Sequence, residues 1–364
     1  MPTKILILTS EFPPQPGGIG NHAYNLAKGL NQQGFDVKLL CDIRSKDGEA
    51  ELQFDNTLDF EVVRITRKRI LFLSYLKRIQ LAYKHAKGSD MVLASGKFSL
   101  WVGGLLSFFL QKKYVAVIHG SEVLLPNVFT RKLTDLCLQR FDSVIAVSNF
   151  TKSLVAKLSL KNITVIPNGF EMDSSTISEK QKTTVPALIT VGNVTQRKGQ
   201  HNVIKALPVL LKLYPDLKYH IVGIPTEKEQ LQSLMLELGV EKAVLFHGKV
   251  SESEKVNLLK QADVFVMLSE STQTGDVEGF GIALLEANAM GIPAIGAKGC
   301  GIEDAISEGV SGKLIGNDDA NQFLHALHLI LEDYNAYVEG AISWSQNFRW
   351  ERIILKYIEE IKTL

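Results

Sequence analysis

The succession of apolar segments predicts an α/β protein built of two consecutive doubly wound domains. Short aliphatic or β-branched runs alternate with longer helical patterns along the 364 residues, the mark of parallel sheets made of βαβ units. That rhythm breaks once, over the Ser-, Thr- and Lys-rich segment 172–184, and then resumes. The length, with 45% hydrophobic residues, suits two cores rather than one.

In the first set, strands are expected at Lys4–Thr9, Val37–Cys41, Glu61–Ile65, Met91–Ala94, Tyr114–Ile118, Ser143–Val147 and Ile163–Ile166, with helices between most of them. The second set has strands at Ala187–Val191, Lys218–Val222, Val244–His247, Val264–Leu268 and Pro293–Gly296. Trp350–Lys362 reads as an amphipathic helix. The domains are thus expected at 1–171 and at 185–345. In sheets of this kind ligands bind beyond the carboxyl ends of the strands, so the cleft between the domains is the expected site.

Composition narrows the classes. With 40 Lys and Arg against 39 Asp and Glu, the chain has neither the basic excess of a general nucleic-acid binder nor an acidic tail. The three cysteines, Cys41, Cys137 and Cys300, lie far apart without zinc-type spacing, and read as reduced buried thiols of a cytosolic protein. The apolar start, Ile5–Thr9, is too short for a signal-peptide core. The most apolar run, Phe98–Leu110, is about 13 residues against the roughly 20 that span a bilayer. A cytoplasmic location is expected, with no transmembrane helix.

The most informative segment is Glu278-Gly279-Phe280-Gly281-Ile282-Ala283-Leu284-Leu285-Glu286. A glycine turn opening into an apolar helix aims the backbone N–H groups of Gly281, Ile282 and Ala283 at a phosphate. Glu278 precedes the turn and faces whatever the phosphate carries, while Glu286 can reach a neighbouring hydroxyl pair. This layout suits a sugar nucleotide. After the first strand comes Phe12-Pro13-Pro14-Gln15-Pro16-Gly17-Gly18-Ile19-Gly20, a stiff loop whose glycines allow close approach of a ligand, or else a tight strand-to-helix turn. It is not a G-x-G-x-x-G dinucleotide fingerprint. His119 follows the fifth strand, and Ser148-Asn149 and Pro167-Asn168-Gly169 follow the next two. Beyond the linker, Arg197-Lys198 sit at a strand-to-helix junction, where cations can neutralise a leaving diphosphate without a metal, or form a surface charge pair.

Taken in order, these elements resemble those of the retaining GT-B glycosyltransferases of family 4: the F-P-P-x-x-G-G loop, H-G after a strand, P-N-G, R-K-G and E-x7-E. The resemblance covers nearly the whole chain. It implies turns around Gly299–Asp304 and Gly309–Leu314, and two Rossmann-like domains facing a cleft, with the C-terminal helix, 346–364, crossing back to the N-terminal domain. It also implies site roles: Gly18 and the turn at Gly281 on the donor diphosphate, His119 and Glu278 on the transferred sugar, Lys198 on the phosphates, and Glu286 on the ribose. Gly20, Asn21 and His22 would lie near the acceptor. Val222-Gly223 and the loop ending at Val250 would hold the nucleobase through backbone atoms. The family's pattern has Arg where this chain has Asn193 after Gly192, which leaves Arg197 to compensate. The Ser269–Glu278 loop resembles that of mannosyltransferases acting on phosphatidylinositol mannosides.

Arg64, Arg67-Lys68-Arg69, Lys77-Arg78, Lys84 and Lys87 interleave with Ile70, Leu71, Phe72, Leu73, Tyr75 and Leu76. The pattern suits a helix lying on an anionic membrane, or a solvated helix packed on the sheet. The resemblance therefore implies transfer of a hexose from a GDP- or UDP-linked donor to a lipid-linked or polysaccharide precursor, with catalytic roles for His119, Glu278 and Lys198. No metal or other cofactor and no nucleic-acid partner are expected, and the basic stretch allows peripheral contact with the inner face of the cell membrane. A nucleotide-sugar epimerase and a non-catalytic sugar-nucleotide-binding subunit are the rival readings.

Overall fold

Parallel strands covered by helices on both faces need no polar alternation, and near-continuous apolar runs form them here. The computed structural model describes residues 2–66, 71–172 and 185–364. It divides into two units, Met1–Gly169 with Trp350–Leu364, and Phe170–Arg349. Most of the expected linker, 173–184, and the cations Arg67, Lys68 and Arg69 lie outside the described residues.

Unit 1 runs β1 (Lys4–Thr9), α1 (Gly18–Gln32), β2 (Asp36–Asp42), α2 (Glu49–Asp55), β3 (Glu61–Ile65), α3 (Leu71–Lys87), β4 (Met91–Ser95), α4 (Lys97–Leu106), β5 (Lys113–Ile118), α5 (Val128–Leu138), β6 (Ser143–Ala146), α6 (Asn149–Leu154) and β7 (Ile163–Val165). The strand order is β3-β2-β1-β4-β5-β6-β7, all parallel, with Ile5 opposite both Val37 and Met91. Leu6, Leu8, Val92, Ala116 and Phe141 are among the residues of its buried core.

Unit 2 repeats the plan with β8 (Ala187–Val191), α7 (Gln200–Leu213), β9 (Lys218–Val222), α8 (Lys228–Leu238), β10 (Val244–Gly248), α9 (Glu252–Gln261), β11 (Val264–Met267), α10 (Ile282–Ala289), β12 (Ala294–Ala297), β13 (Gly312–Ile315), α11 (Ala320–Glu332) and α12 (Tyr334–Ser345). Its parallel sheet has the order β10-β9-β8-β11-β12-β13. Strand β13 corrects the sequence reading, which took Gly309–Leu314 as turns. It is four residues long, opens on glycine and lies beside β12 at the edge of the sheet, so it lacks the aliphatic run that marks the inner strands. Gly312 is required there, since a Cβ would lie 2.1 Å from the Ala294 carbonyl oxygen.

The last helix, α13 (Trp350–Lys362), belongs to unit 1. Its stripe of Trp350, Ile353, Ile354, Tyr357, Ile358 and Ile361 is buried at helical spacing, and each aliphatic side chain contributes roughly 1.5–3 kcal/mol of burial. Ile354 fits against Gly29 of α1 so closely that a Cβ on that glycine would lie 2.7 Å from it. At the far end Glu360 accepts hydrogen bonds from Ser143 Oγ (2.5 Å), Asn162 Nδ2 (2.7 Å) and Thr164 Oγ1 (2.9 Å), which tie the helix to β6 and β7.

Candidate active site

The order of unit 2's sheet reverses between β8 and β11, the switch point where open α/β sheets form a crevice. The segments that follow these two strands meet there. Gly199, at φ +73°, lies so close to β11 that a Cβ would fall 1.8 Å from the Leu268 carbonyl oxygen, and Glu270 N–H donates to the Arg197 carbonyl at 3.1 Å. Arg197 and Lys198 occupy a single 3-10 turn, Gln196–Lys198. From it Lys198 Nζ reaches Glu278 Oε2 at 2.8 Å, Arg197 Nη1 donates to the same oxygen, and Arg197 Nε donates to Asp276 Oδ2 at 3.0 Å. The sequence-predicted Glu278, Lys198 and Arg197 are thus one cluster.

Glu278 is 8% exposed. Burial by itself raises a carboxyl pKa, but the charges of Lys198 and Arg197 and the Lys198 hydrogen bond outweigh it and hold Glu278 below the usual carboxylate range. Burial lowers Arg197, and Glu278 and Asp276 more than restore it, leaving it raised. The cluster pairs two cations with two carboxylates.

Gly281, at φ +98°, adopts the left-handed conformation ahead of α10, and as its N-cap residue offers no side-chain cap to that helix. The first-turn residues Ile282 and Ala283 remain partly exposed, with the positive end of the helix dipole behind them. Glu286, one turn on, accepts from Lys255 Nζ of α9 at 3.2 Å, and Lys255 also pairs with Glu252 at 2.7 Å. Burial lowers the Lys255 pKa and these two carboxylates raise it above its ordinary value.

Beside this cluster three glycine loops interlock through their backbones. Gly192 N–H donates to the Val222 carbonyl at 2.8 Å and Gly223 N–H to the Gly248 carbonyl at 2.9 Å. A Cβ on Gly223 would lie 2.1 Å from the Gly192 carbonyl oxygen. Val250 follows, half-buried. Asn193 is exposed, and its carbonyl accepts from Gln200 Nε2 at 3.1 Å. Sequence reading missed Glu270. It accepts from Gln196 Nε2 (2.8 Å) and Asn202 Nδ2 (3.2 Å) and lies 3.3 Å from His201 Nε2. Burial raises its pKa, and these partners more than offset it.

Unit 1 presents a different chemistry at its carboxyl edge. His119, just past β5, shares a hydrogen bond of 2.9 Å between Nε2 and Ser95 Oγ at the end of β4. Its backbone N–H donates to Glu122 Oε1. Burial pushes His119 down to about 4, which keeps the ring neutral at pH 7, and pushes the Glu122 carboxyl up to about 7 against its backbone hydrogen bonds. The ring of His22 meets that of His119 edge-on at 5.0 Å.

His22 is a correction. Expected at the acceptor, it is 1% exposed and turned into the core, with Nε2 2.8 Å from the Tyr357 hydroxyl of α13 and its ring 5.4 Å from that of Trp350. It falls four residues before Leu26 on the inward face of α1, so helical periodicity carries the signal for burial. Gly18 and Asn21 are exposed at the start of the helix, whereas Gly20 is buried, with a Cβ position 3.1 Å from Phe12 N.

The basic stretch is corrected in part. Arg64 makes two hydrogen bonds to Asp55 (2.9 and 2.7 Å), donates to the Pro13 carbonyl at 2.6 Å and covers the Phe12 ring, so it braces the proline loop. Arg78 pairs with Asp42 and lies over Phe98. Lys84 and Lys87 are exposed on α3, as are Phe72 and Leu76. Among the described residues no helix is long and apolar enough to cross a membrane.

Residues 16–174 match Glycosyltransferase Family 4, and residues 173–346 match Glycosyl transferases group 1. The chain belongs to the family 4 glycosyltransferases. This glycosyltransferase is 27% identical over 371 residues to the GDP-mannose-dependent monoacylated alpha-(1-6)-phosphatidylinositol monomannoside mannosyltransferase of Corynebacterium glutamicum, covering 94% of each chain. It is 29% identical to the GDP-mannose-dependent alpha-(1-6)-phosphatidylinositol monomannoside mannosyltransferase of Mycolicibacterium smegmatis, over 90% of this chain and 89% of the relative. Among solved structures it superposes on sucrose-phosphate synthase from Thermosynechococcus elongatus with a TM-score of 0.81 at 19% identity, over 99% of this chain and 98% of that one. The Anabaena HepE complex with UDP and glucose gives 0.79 at 22% identity over the full length of both. The glycosyltransferase therefore has the GT-B fold of two Rossmann-like domains.

Proposed function

We propose that the glycosyltransferase moves a hexose, with retention, from a nucleotide diphosphate sugar to a hydroxyl of a lipid-linked or polysaccharide precursor in cell-surface glycan synthesis. The observation that carries this reading is the cluster of Arg197, Lys198 and Glu278 at the switch point of unit 2, beside the uncapped start of α10. Two cations and a helix dipole are what a leaving diphosphate needs where no metal serves it. The bond from the anomeric carbon to the phosphate oxygen breaks as the acceptor oxygen bonds on the same face, and the acceptor proton passes to the departing phosphate. Glu278 and His119 orient the sugar, Glu286 takes the ribose hydroxyls, and the backbone about Gly192, Gly223 and Val250 holds the base. GDP-mannose is the first donor to test, because both mannosyltransferase relatives are named for it; UDP-glucose is the second.

Each nucleotide sugar is incubated with the protein and its melting temperature followed, since a ligand of the native state raises it by mass action. NMR of the product made with the stabilising donor then reads the anomer. Retained configuration, with activity preserved in EDTA, is expected. An inverted product, activity abolished by EDTA and restored by magnesium or manganese, or epimerised donor formed without acceptor would each overturn part of the proposal. Exposed Phe72 and Leu76 with Lys84 and Lys87 suit contact with anionic lipid, and vesicle sedimentation at low and high salt tests it.

A further inference from the structure

The loop between β11 and α10 carries a charged group that the transfer reaction does not use, Asp276. Its backbone is fixed by a small closed ring. Asp276 N–H donates to Thr272 Oγ1 at 3.0 Å, Thr272 N–H to the Asp276 carbonyl at 2.9 Å, and Gly275 N–H to the Thr272 carbonyl at 3.0 Å. The ring holds the Asp276 carboxylate against Arg197, whose Nε donates to it at 3.0 Å. Nη1 of the same guanidinium donates to Glu278, which also binds Lys198 Nζ. Two further carboxylates of this region are engaged elsewhere: Glu270 accepts from Gln196 and Asn202, and Glu303 from the Gly299 N–H.

The two counter-ions of Arg197 differ in how easily they are given up. The Glu278 side chain is 10% exposed, so losing its cations would leave a buried charge unpaired. The Asp276 side chain is 51% exposed, so water can replace the guanidinium at little cost. With both carboxylates in place the cluster holds two cations against two anions, with no net charge to offer a diphosphate. A guanidinium receives phosphate best through a two-donor edge, and Asp276 stands at the Nε edge. An arriving diphosphate therefore takes that edge from Asp276, whose displaced carboxylate stays close by and repels it. The repulsion differs between donor and product. The diphosphate of a nucleotide sugar is esterified at both ends, whereas a released nucleoside diphosphate ends in a phosphate monoester. That group ionises a second time at about pH 6, which gives the product about one more negative charge at pH 7.

We infer that Asp276 is the displaceable counter-ion of Arg197, weakening the bound nucleoside diphosphate more than the bound donor and so hastening release of the product. The inference rests on the transferase reading, which supplies the diphosphate. The test is titration calorimetry with GDP, UDP and inorganic pyrophosphate on the whole protein, Asp276→Asn and Asp276→Glu, in EDTA so that no magnesium masks the phosphates. Product inhibition is read on the same proteins with the donor that transfers. Asp276→Asn keeps the size of the side chain and removes its charge, and is expected to bind the nucleoside diphosphate and pyrophosphate about threefold to tenfold tighter. Asp276→Glu restores the charge and should stay within about twofold of the parent. In Asp276→Asn the inhibition constant of the product should fall by a larger factor than KM for the donor. Affinity unchanged or weakened in Asp276→Asn would overturn the inference, since a residue that merely orients Arg197 gives that result, and so would equal changes in inhibition constant and KM. Nucleotide binding to the parent with no gain in Asp276→Asn sinks this inference alone, whereas no binding of any of the three ligands to any of the proteins sinks the donor reading with it.

Discussion

Glu278 in unit 2 and Glu122 in unit 1 are both buried, at 8% and 5% exposure, in loops that follow strands of two sheets with the same winding, yet their acidities move in opposite directions. Burial raises both. In unit 2 the ammonium of Lys198 and the guanidinium of Arg197 reverse the effect. In unit 1 only backbone N–H groups oppose it, and the carboxyl settles at about 7. One scaffold therefore offers an edge built of paired full charges, and an edge where a neutral imidazole is bonded to a serine hydroxyl while a raised carboxyl is held by backbone N–H groups. The fold supplies the position, and the chemistry comes from which neighbours are charged.

The sharpest break of that contrast is to remove a charge from unit 2. Lys198→Ala should lower kcat by about 10²–10³, the loss seen when one preorganised donor to developing charge is deleted; steady-state kinetics on a variant of native circular dichroism decides it. Glu286→Ala should weaken nucleotide affinity by about 1.5–3 kcal/mol, the worth of charge-assisted hydrogen bonds. Titration calorimetry showing unaltered affinity would remove Glu286 from the donor site and leave it as the partner of Lys255.

In unit 1, Ser95→Ala should reduce kcat by about tenfold with nucleotide affinity intact, since the Ser95 hydroxyl bonds the His119 ring at Nε2 and holds its orientation. Nitrogen NMR of the His119 ring should then show a shifted Nε2 resonance, and an identical spectrum would leave Ser95 a packing residue. The smallest effects concern pH. Glu278, depressed by its cations, adds stability that is complete above the unfolded carboxyl value and fades as pH falls through its folded value. Glu122, raised by burial, holds its proton longer when folded, so stability declines as pH climbs from about 4.5 towards 7. Melting curves of Glu278→Gln should show less acid loss than the parent, and those of Glu122→Gln a weaker decline over the neutral limb.

The sequence carries much of this layout because the motifs sit at strand ends, where doubly wound topology must gather them. Glu278, Lys198 and Arg197 could be grouped from their positions after β11 and β8, and β1, β3, β8 and β9 lie where their aliphatic runs placed them. What escapes is whatever depends on partners remote in sequence. Glu270 has the same strand-end position as other site residues, but its ligands Gln196, His201 and Asn202 lie about seventy residues earlier, and no local pattern joins them. Arg64 and Arg78 look like membrane-facing cations in a mixed basic and apolar run. Only the tertiary structure shows that Asp55 and Asp42 hold them inward.

The return of α13 to the first unit sets a schedule for synthesis. Residues 170–349 must be translated before Trp350 exists, roughly ten to forty seconds at ordinary elongation rates. During that interval a nascent first unit lacks Tyr357 beside His22, Glu360 beneath Ser143, Asn162 and Thr164, and Ile354 in the slot above Gly29. The second unit, contiguous in the chain, has no such wait. A ribosome-bound intermediate would therefore mature in the order opposite to translation, and a fragment ending near residue 169 would leave a hydrophobic trough where the last helix belongs.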